Sequence, residues 1–158
     1  KGHDVFLPLE LADHGLPALV PLRDPWDTVV SWSIYNHDRT TVDSLAARLH
    51  TFNAWHREML RMRKVAPLRF VEFTEFSSDI EGTLSCILGQ TPDLSLTPHE
   101  VAGRVESYNE EWESPATQSN TPHSEREMHK EEFASLRPHR RVQRLLVTAQ
   151  GLLDELRR

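Results

Sequence analysis

The chain has 158 residues, a mass of 18.2 kDa and a formal net charge of −6, with 38% hydrophobic and 27% charged residues. These values are typical of a soluble globular protein with one domain. The negative charge argues against nucleic acid as the main partner. No apolar run in the sequence reaches the roughly 20 residues that a membrane-spanning helix needs.

The first predicted strand is the apolar run 18–22, which ends directly before Arg23. Asp24 and Pro25 then predict a helix start, because aspartate is a common N-cap and proline suits the first helical position. Ligands of α/β sheets bind at the carboxyl ends of strands, where helix N-termini favour anions. Ser31 follows Arg23 by eight residues, so an arginine and a hydroxyl converging there predict a phosphate site. The alternative is a simple helix cap in which Arg23 pairs with a neighbouring aspartate.

The rest of the chain is dominated by helix signals. A second strand is predicted at 68–73, and 113–122 is a polar loop without periodicity. Helical spacing and capping residues predict helices at about 25–37, 41–64, 78–88, 98–112 and 140–157. The resulting order of strands and helices predicts an α/β fold with a parallel sheet covered by helices. The last helix is predicted to be a packing helix.

Residues 23–31, Arg-Asp-Pro-Trp-Asp-Thr-Val-Val-Ser, resemble the 3′-phosphate-binding motif of sulfotransferases that use 3′-phosphoadenosine 5′-phosphosulfate (PAPS). In that family the arginine and the serine hold the 3′-phosphate, which implies this role for Arg23 and Ser31. The chain also opens with Lys1-Gly2-His3, which is similar to the upstream Lys-x-His segment of the family, and 20 residues separate His3 from Arg23. The resemblance implies that His3 is the catalytic base and that Lys1 stabilises the transferring sulfuryl group.

The resemblance implies a three-layer, P-loop-like, helix-rich fold. The implied activity moves a sulfuryl group from PAPS to a hydroxyl or amine of a small-molecule or carbohydrate acceptor, with no metal. The family's phosphosulfate-binding loop is not found here, since the six glycines are scattered and no Gly-x-x-x-x-Gly-Lys-Ser/Thr occurs. We therefore expect residues 1–158 to be a sulfotransferase-like domain truncated at its N-terminus and inactive alone.

Family members carry a further cofactor-binding loop, rich in Arg, Lys and Gly, near the carboxyl terminus. Here Arg126, His129 and Lys130 lie in an acidic, helix-like run without glycine, which predicts a solvated helical face. The apolar stripe of 140–157 packs on the sheet or on a partner, so a homo-oligomer stays open.

The histidines show no helical zinc-binding spacing, and no metal site is predicted. A cytoplasmic location is expected, because no signal peptide is visible. Two other functional classes stay open beside the sulfotransferase. One is a non-catalytic helical interaction module, and the other is another P-loop-like nucleotide-binding protein.

Overall fold

A computed structural model describes residues 18–74 and 123–158, together with residues 79, 81, 82, 85, 97, 99 and 103. Two compact units are distinguished, residues 1–70 with 122–158 and residues 71–121. The predicted helices at 78–88 and 98–112 and the loop at 113–122 fall almost entirely outside the described residues. The described elements are β1 (Ala18–Leu22), α1 (Pro25–Tyr35), α2 (Val42–Met62), β2 (Leu68–Glu72), α3 (His123–Leu136) and α4 (Arg140–Leu156).

The two strands form a parallel sheet in the order β1-β2. The pairing begins where the Ala18 N–H donates to the Pro67 carbonyl at 3.2 Å. Side chains of β1 alternate, with Val20 and Leu22 buried and Pro21 exposed. The described residues thus confirm the predicted α/β class, the parallel pairing and a helix-rich chain.

The buried side chains form two clusters, one between the helices and one under the sheet. The helical cluster joins α1, α2, α3 and α4 around Leu45, Leu49 and Phe133. In the sheet cluster, Val20 and Leu22 meet the carboxyl-terminal halves of α2 and α4, whose buried residues there are Met59, Met62, Leu153 and Leu156. The sheet face that carries these β1 residues is therefore covered by α2 and α4.

Helices α2 and α4 lie side by side and run in the same direction. Contacts join them at three levels, from the first turn of each helix to its last. The Arg141 guanidinium donates to the Asp43 carboxylate at 2.6 Å, the Asn53 amide to the Leu145 carbonyl at 3.2 Å and the Arg63 guanidinium to the Glu155 carbonyl at 3.2 Å. Helix α4 is thus a packing helix within one residue of its predicted bounds.

The turn between α1 and α2 is fixed by an ion pair. Arg48 donates to both carboxylate oxygens of Asp38, at 2.6 and 2.9 Å, and its guanidinium lies 4.6 Å from the centre of the Trp32 ring. The hydrogen bonds from Arg48 hold the pKa of Asp38 below its usual range, and the same contact raises the pKa of Arg48. His37, with φ of 53°, takes the left-handed conformation that ends α1.

The five predicted helix ranges leave out α3, a helix of 14 residues, although the run around residues 126–130 was predicted to be a solvated helical face. The predicted solvated face is present within it. Lys130 pairs with Glu127 at 2.6 Å and His129 with Glu132 at 3.1 Å, each three residues apart on the helix surface. These four side chains therefore pair with one another on the surface of α3.

Candidate functional site

The junction of β1 and α1 holds the two residues predicted to bind phosphate. Arg23 follows the last residue of β1, and α1 begins two residues later at Pro25. Between them, the Asp24 carboxylate accepts a hydrogen bond from the Asp27 N–H at 3.0 Å, and its carbonyl accepts from the Thr28 N–H at 3.0 Å. Asp24 is thus the N-cap that the sequence predicts.

Arg23 lies in the connection between β1 and α1, whereas Ser31 lies in the second turn of α1. Arg23 is partly buried and is not an isolated charge. Ser31 is also partly buried and lies on the stripe of α1 that carries Asp27 and Tyr35, one turn away on either side. The six helical steps from Pro25 to Ser31 span about 9 Å along the helix axis, a distance that an arginine side chain and one bound phosphate together can bridge.

The N-terminus of α1 carries two acidic side chains of its own. The Asp24 carboxylate already occupies a first-turn N–H, and Asp27 adds a second negative charge in that turn. Both carboxylates offset the positive end of the helix dipole. Positive charge for an anion at this junction would therefore come from Arg23 and not from the helix end.

The other predicted site residues are not placed relative to Arg23 and Ser31. Lys1 and His3 lie outside the described residues, as does the side chain of Arg126.

His56 is a buried titratable residue that the sequence pattern did not single out. Its ring stacks on Phe52 with centroids 3.8 Å apart and meets the edge of Trp55 at 4.9 Å. Its Nδ1 lies 2.8 Å from the Phe52 carbonyl oxygen, so this nitrogen carries a proton and donates it. Burial lowers the pKa of His56, and the hydrogen bond opposes the shift in part.

We expect the free energy of unfolding to fall as the pH drops below about 6.5, the ordinary pKa of histidine in the unfolded chain. Because the folded pKa is lower, the unfolded state binds more protons in this range, and stability rises with pH by at most about 1.4 kcal/mol per unit. His56→Gln should remove this dependence below about pH 6.5, whereas His50→Gln, at an exposed position of α2, should keep it. Urea unfolding at several pH values measures the difference, and identical profiles for wild type and His56→Gln would contradict it.

No cluster of three or more potential metal ligands occurs in the part of the chain that the structure describes. None of its helices is long and apolar enough to cross a membrane.

Comparison of the chain with protein-family profiles, curated proteins and solved structures gives no match.

Proposed function

We propose that the chain is the carboxyl-terminal part of a PAPS-dependent sulfotransferase with a three-layer, P-loop-like fold. One observation carries the proposal. A parallel strand ends directly before Arg23, and a helix that carries Ser31 begins two residues later. The 3′-phosphate-binding motif of the family, as it is matched by residues 23–31, requires this order of strand, arginine and helix.

Arg23 is the main phosphate ligand in this proposal. Its guanidinium donates two parallel hydrogen bonds to phosphate oxygens, and the Ser31 hydroxyl donates a third. The carboxylates of Asp24 and Asp27 close to the helix start disfavour a phosphate bound by the helix end alone. Binding is therefore expected to depend strongly on Arg23.

The acceptor is a hydroxyl or amine of a small molecule or carbohydrate. His3 is placed as the base that takes the acceptor's proton, and Lys1 as the cation beside the transferring group. Residues 1–158 carry no phosphosulfate-binding loop, so the proposal requires one from outside this sequence.

In residues 1–158 joined to a phosphosulfate-binding segment, Arg23→Ala is expected to weaken the binding of adenosine 3′,5′-bisphosphate by about 1.5–3 kcal/mol, or about tenfold to 150-fold, because a charge-assisted pair is lost. Ser31→Ala should cost about 0.5–1.5 kcal/mol, as expected for a neutral hydroxyl donor. Isothermal titration calorimetry measures both. Arg39→Ala, which removes an exposed arginine beyond α1, is the matched control and should leave the affinity unchanged.

Adenosine 5′-monophosphate separates this function from the alternatives, because it lacks the 3′-phosphate. Wild type should bind the monophosphate more weakly than the bisphosphate. Arg23→Ala should bind the monophosphate with the same affinity as wild type does. Equal binding of both nucleotides would favour another P-loop-like nucleotide-binding protein. Failure to bind either nucleotide would favour a non-catalytic helical module.

A further inference from the structure

Helix α4 has an outward stripe that its packing against the described residues does not use. The stripe consists of Arg140, Arg144, Val147 and Gly151, at helical spacings of four, three and four residues. The opposite side of α4 is buried in the core. Val147 is 71% exposed, and a Cβ added at Gly151 would meet no atom within 4 Å. We call these four residues the α4 stripe.

Helix α3 has an outward stripe of complementary character. Met128, Glu131 and Ser135 follow at spacings of three and four residues, and Met128 is 52% exposed. We call these three residues the α3 stripe. Each stripe has one large exposed apolar side chain, and the charged residues of the two stripes have opposite signs.

The two charges that would pair have no ion-pair partner among the described residues. Neither Arg144 nor Glu131 forms an ion pair with any residue in the described part, although other charged residues on the same helices do. Arg140 lies in the first turn of α4, where no acidic residue offsets the helix dipole. A cation in this turn does not stabilise α4, because the N-terminal end of a helix is itself positive.

We propose that the α4 stripe docks on the α3 stripe of a second copy of this chain, and the α3 stripe on the partner's α4 stripe, in a weak symmetric dimer. In an antiparallel register, Val147 meets the partner's Met128, Arg144 meets the partner's Glu131 and Arg140 meets the partner's Ser135. The order of the apolar and charged residues along the two helices fits this register. Gly151 lets the partner helix approach closely at the end of the stripe.

A two-fold axis makes the contact self-complementary, because each copy contributes both stripes. One apolar pair and one ion pair in each half make a small interface, so the affinity is expected to be in the micromolar range and to fall as salt screens the charges. This surface does not involve Arg23 or Ser31, and the inference stands without the proposed function.

The test is a charge exchange followed by sedimentation equilibrium. Arg144→Glu and Glu131→Arg should each weaken self-association more than about tenfold, because like charges then face each other twice. An equimolar mixture of the two variants should form a heterodimer, since both contacts again pair opposite charges. The double variant on one chain should recover the wild-type dimer.

Loss of folding does not explain these results, because both altered side chains are exposed and the mixture recovers the dimer from the same chains. The matched controls are Arg158→Glu and Glu155→Arg, which make the same charge changes at the other end of α4 and should dimerise like wild type. A wild-type chain that is monomeric up to about 1 mM overturns the proposal. A dimer that survives the single exchanges, or a mixture that stays monomeric, also overturns it.

Discussion

Phe133→Ala is expected to lower the free energy of unfolding by about 3–5 kcal/mol, which is a large part of the stability of a small domain. Phe133 is 1% exposed and lies on α3 within the helical cluster. Removing the ring takes away buried apolar area and leaves a cavity, because the surrounding helices relax only in part. Urea unfolding followed by circular dichroism measures the change.

Met128→Ala is the matched control for this substitution, because it shortens an exposed apolar side chain on the same helix. It should change the free energy of unfolding by no more than about 0.5 kcal/mol. A loss of similar size in both variants would mean that helix formation in α3, and not burial of Phe133, determines the result. A small loss in Phe133→Ala alone would contradict the position of α3 in the core.

Both described strands and three of the helices could be predicted from the sequence because their local signals agree with their packing. Asp24 and Pro25 begin α1 where predicted, and the apolar stripe of α4 is the side that the structure buries. The predicted helix at 25–37 ends earlier, at Tyr35, because His37 turns the chain with a positive φ. Such a local conformation has no signature in hydrophobic periodicity.

Helix α3 could not be predicted with the same strength, because few of its residues are apolar. Its burial depends on Phe133 and Leu136, which pack on residues from α1, α2 and α4 that are distant in sequence. The exposure of two aromatic residues could not be predicted from the sequence either. Tyr35 is 63% exposed and Phe73 is 38% exposed, although large aromatic side chains are often buried. Periodicity assigns a face to a residue, but tertiary packing decides whether that face is covered.

The candidate site was predictable in its order but not in its electrostatics. The sequence places an arginine between a strand and a helix, as the structure does. Asp24 was also predicted as the N-cap, but its effect on the site was not, since its carboxylate takes up a first-turn N–H that was expected to favour an anion. The Asp38–Arg48 pair and the buried His56 were also missed, because neither follows a spacing rule.

His3→Ala is expected to reduce sulfuryl transfer by about 10²–10⁴-fold while leaving the affinity for adenosine 3′,5′-bisphosphate nearly unchanged. In the proposed mechanism His3 takes the proton of the acceptor hydroxyl as its oxygen forms a bond to sulfur. The bond from sulfur to the bridging oxygen breaks, and the bisphosphate leaves with the electron pair. Lys1 stabilises the negative charge on that leaving oxygen. A neutral imidazole is needed at the start of the step, because only an unprotonated ring nitrogen can accept the acceptor's proton.

The turnover of wild type and of His3→Ala is measured on residues 1–158 joined to a phosphosulfate-binding segment, because the proposed reaction needs both sides of the nucleotide site. His139→Ala, at an exposed position before α4, is the control and should keep full turnover. Residues 1–158 without that segment should show no transfer. Full turnover in His3→Ala would remove this residue from the mechanism, whereas a parallel loss of nucleotide affinity would make it a binding residue. A rate loss that depends on pH and occurs without a loss of affinity is the result that a general base predicts, because only the proton transfer is then impaired.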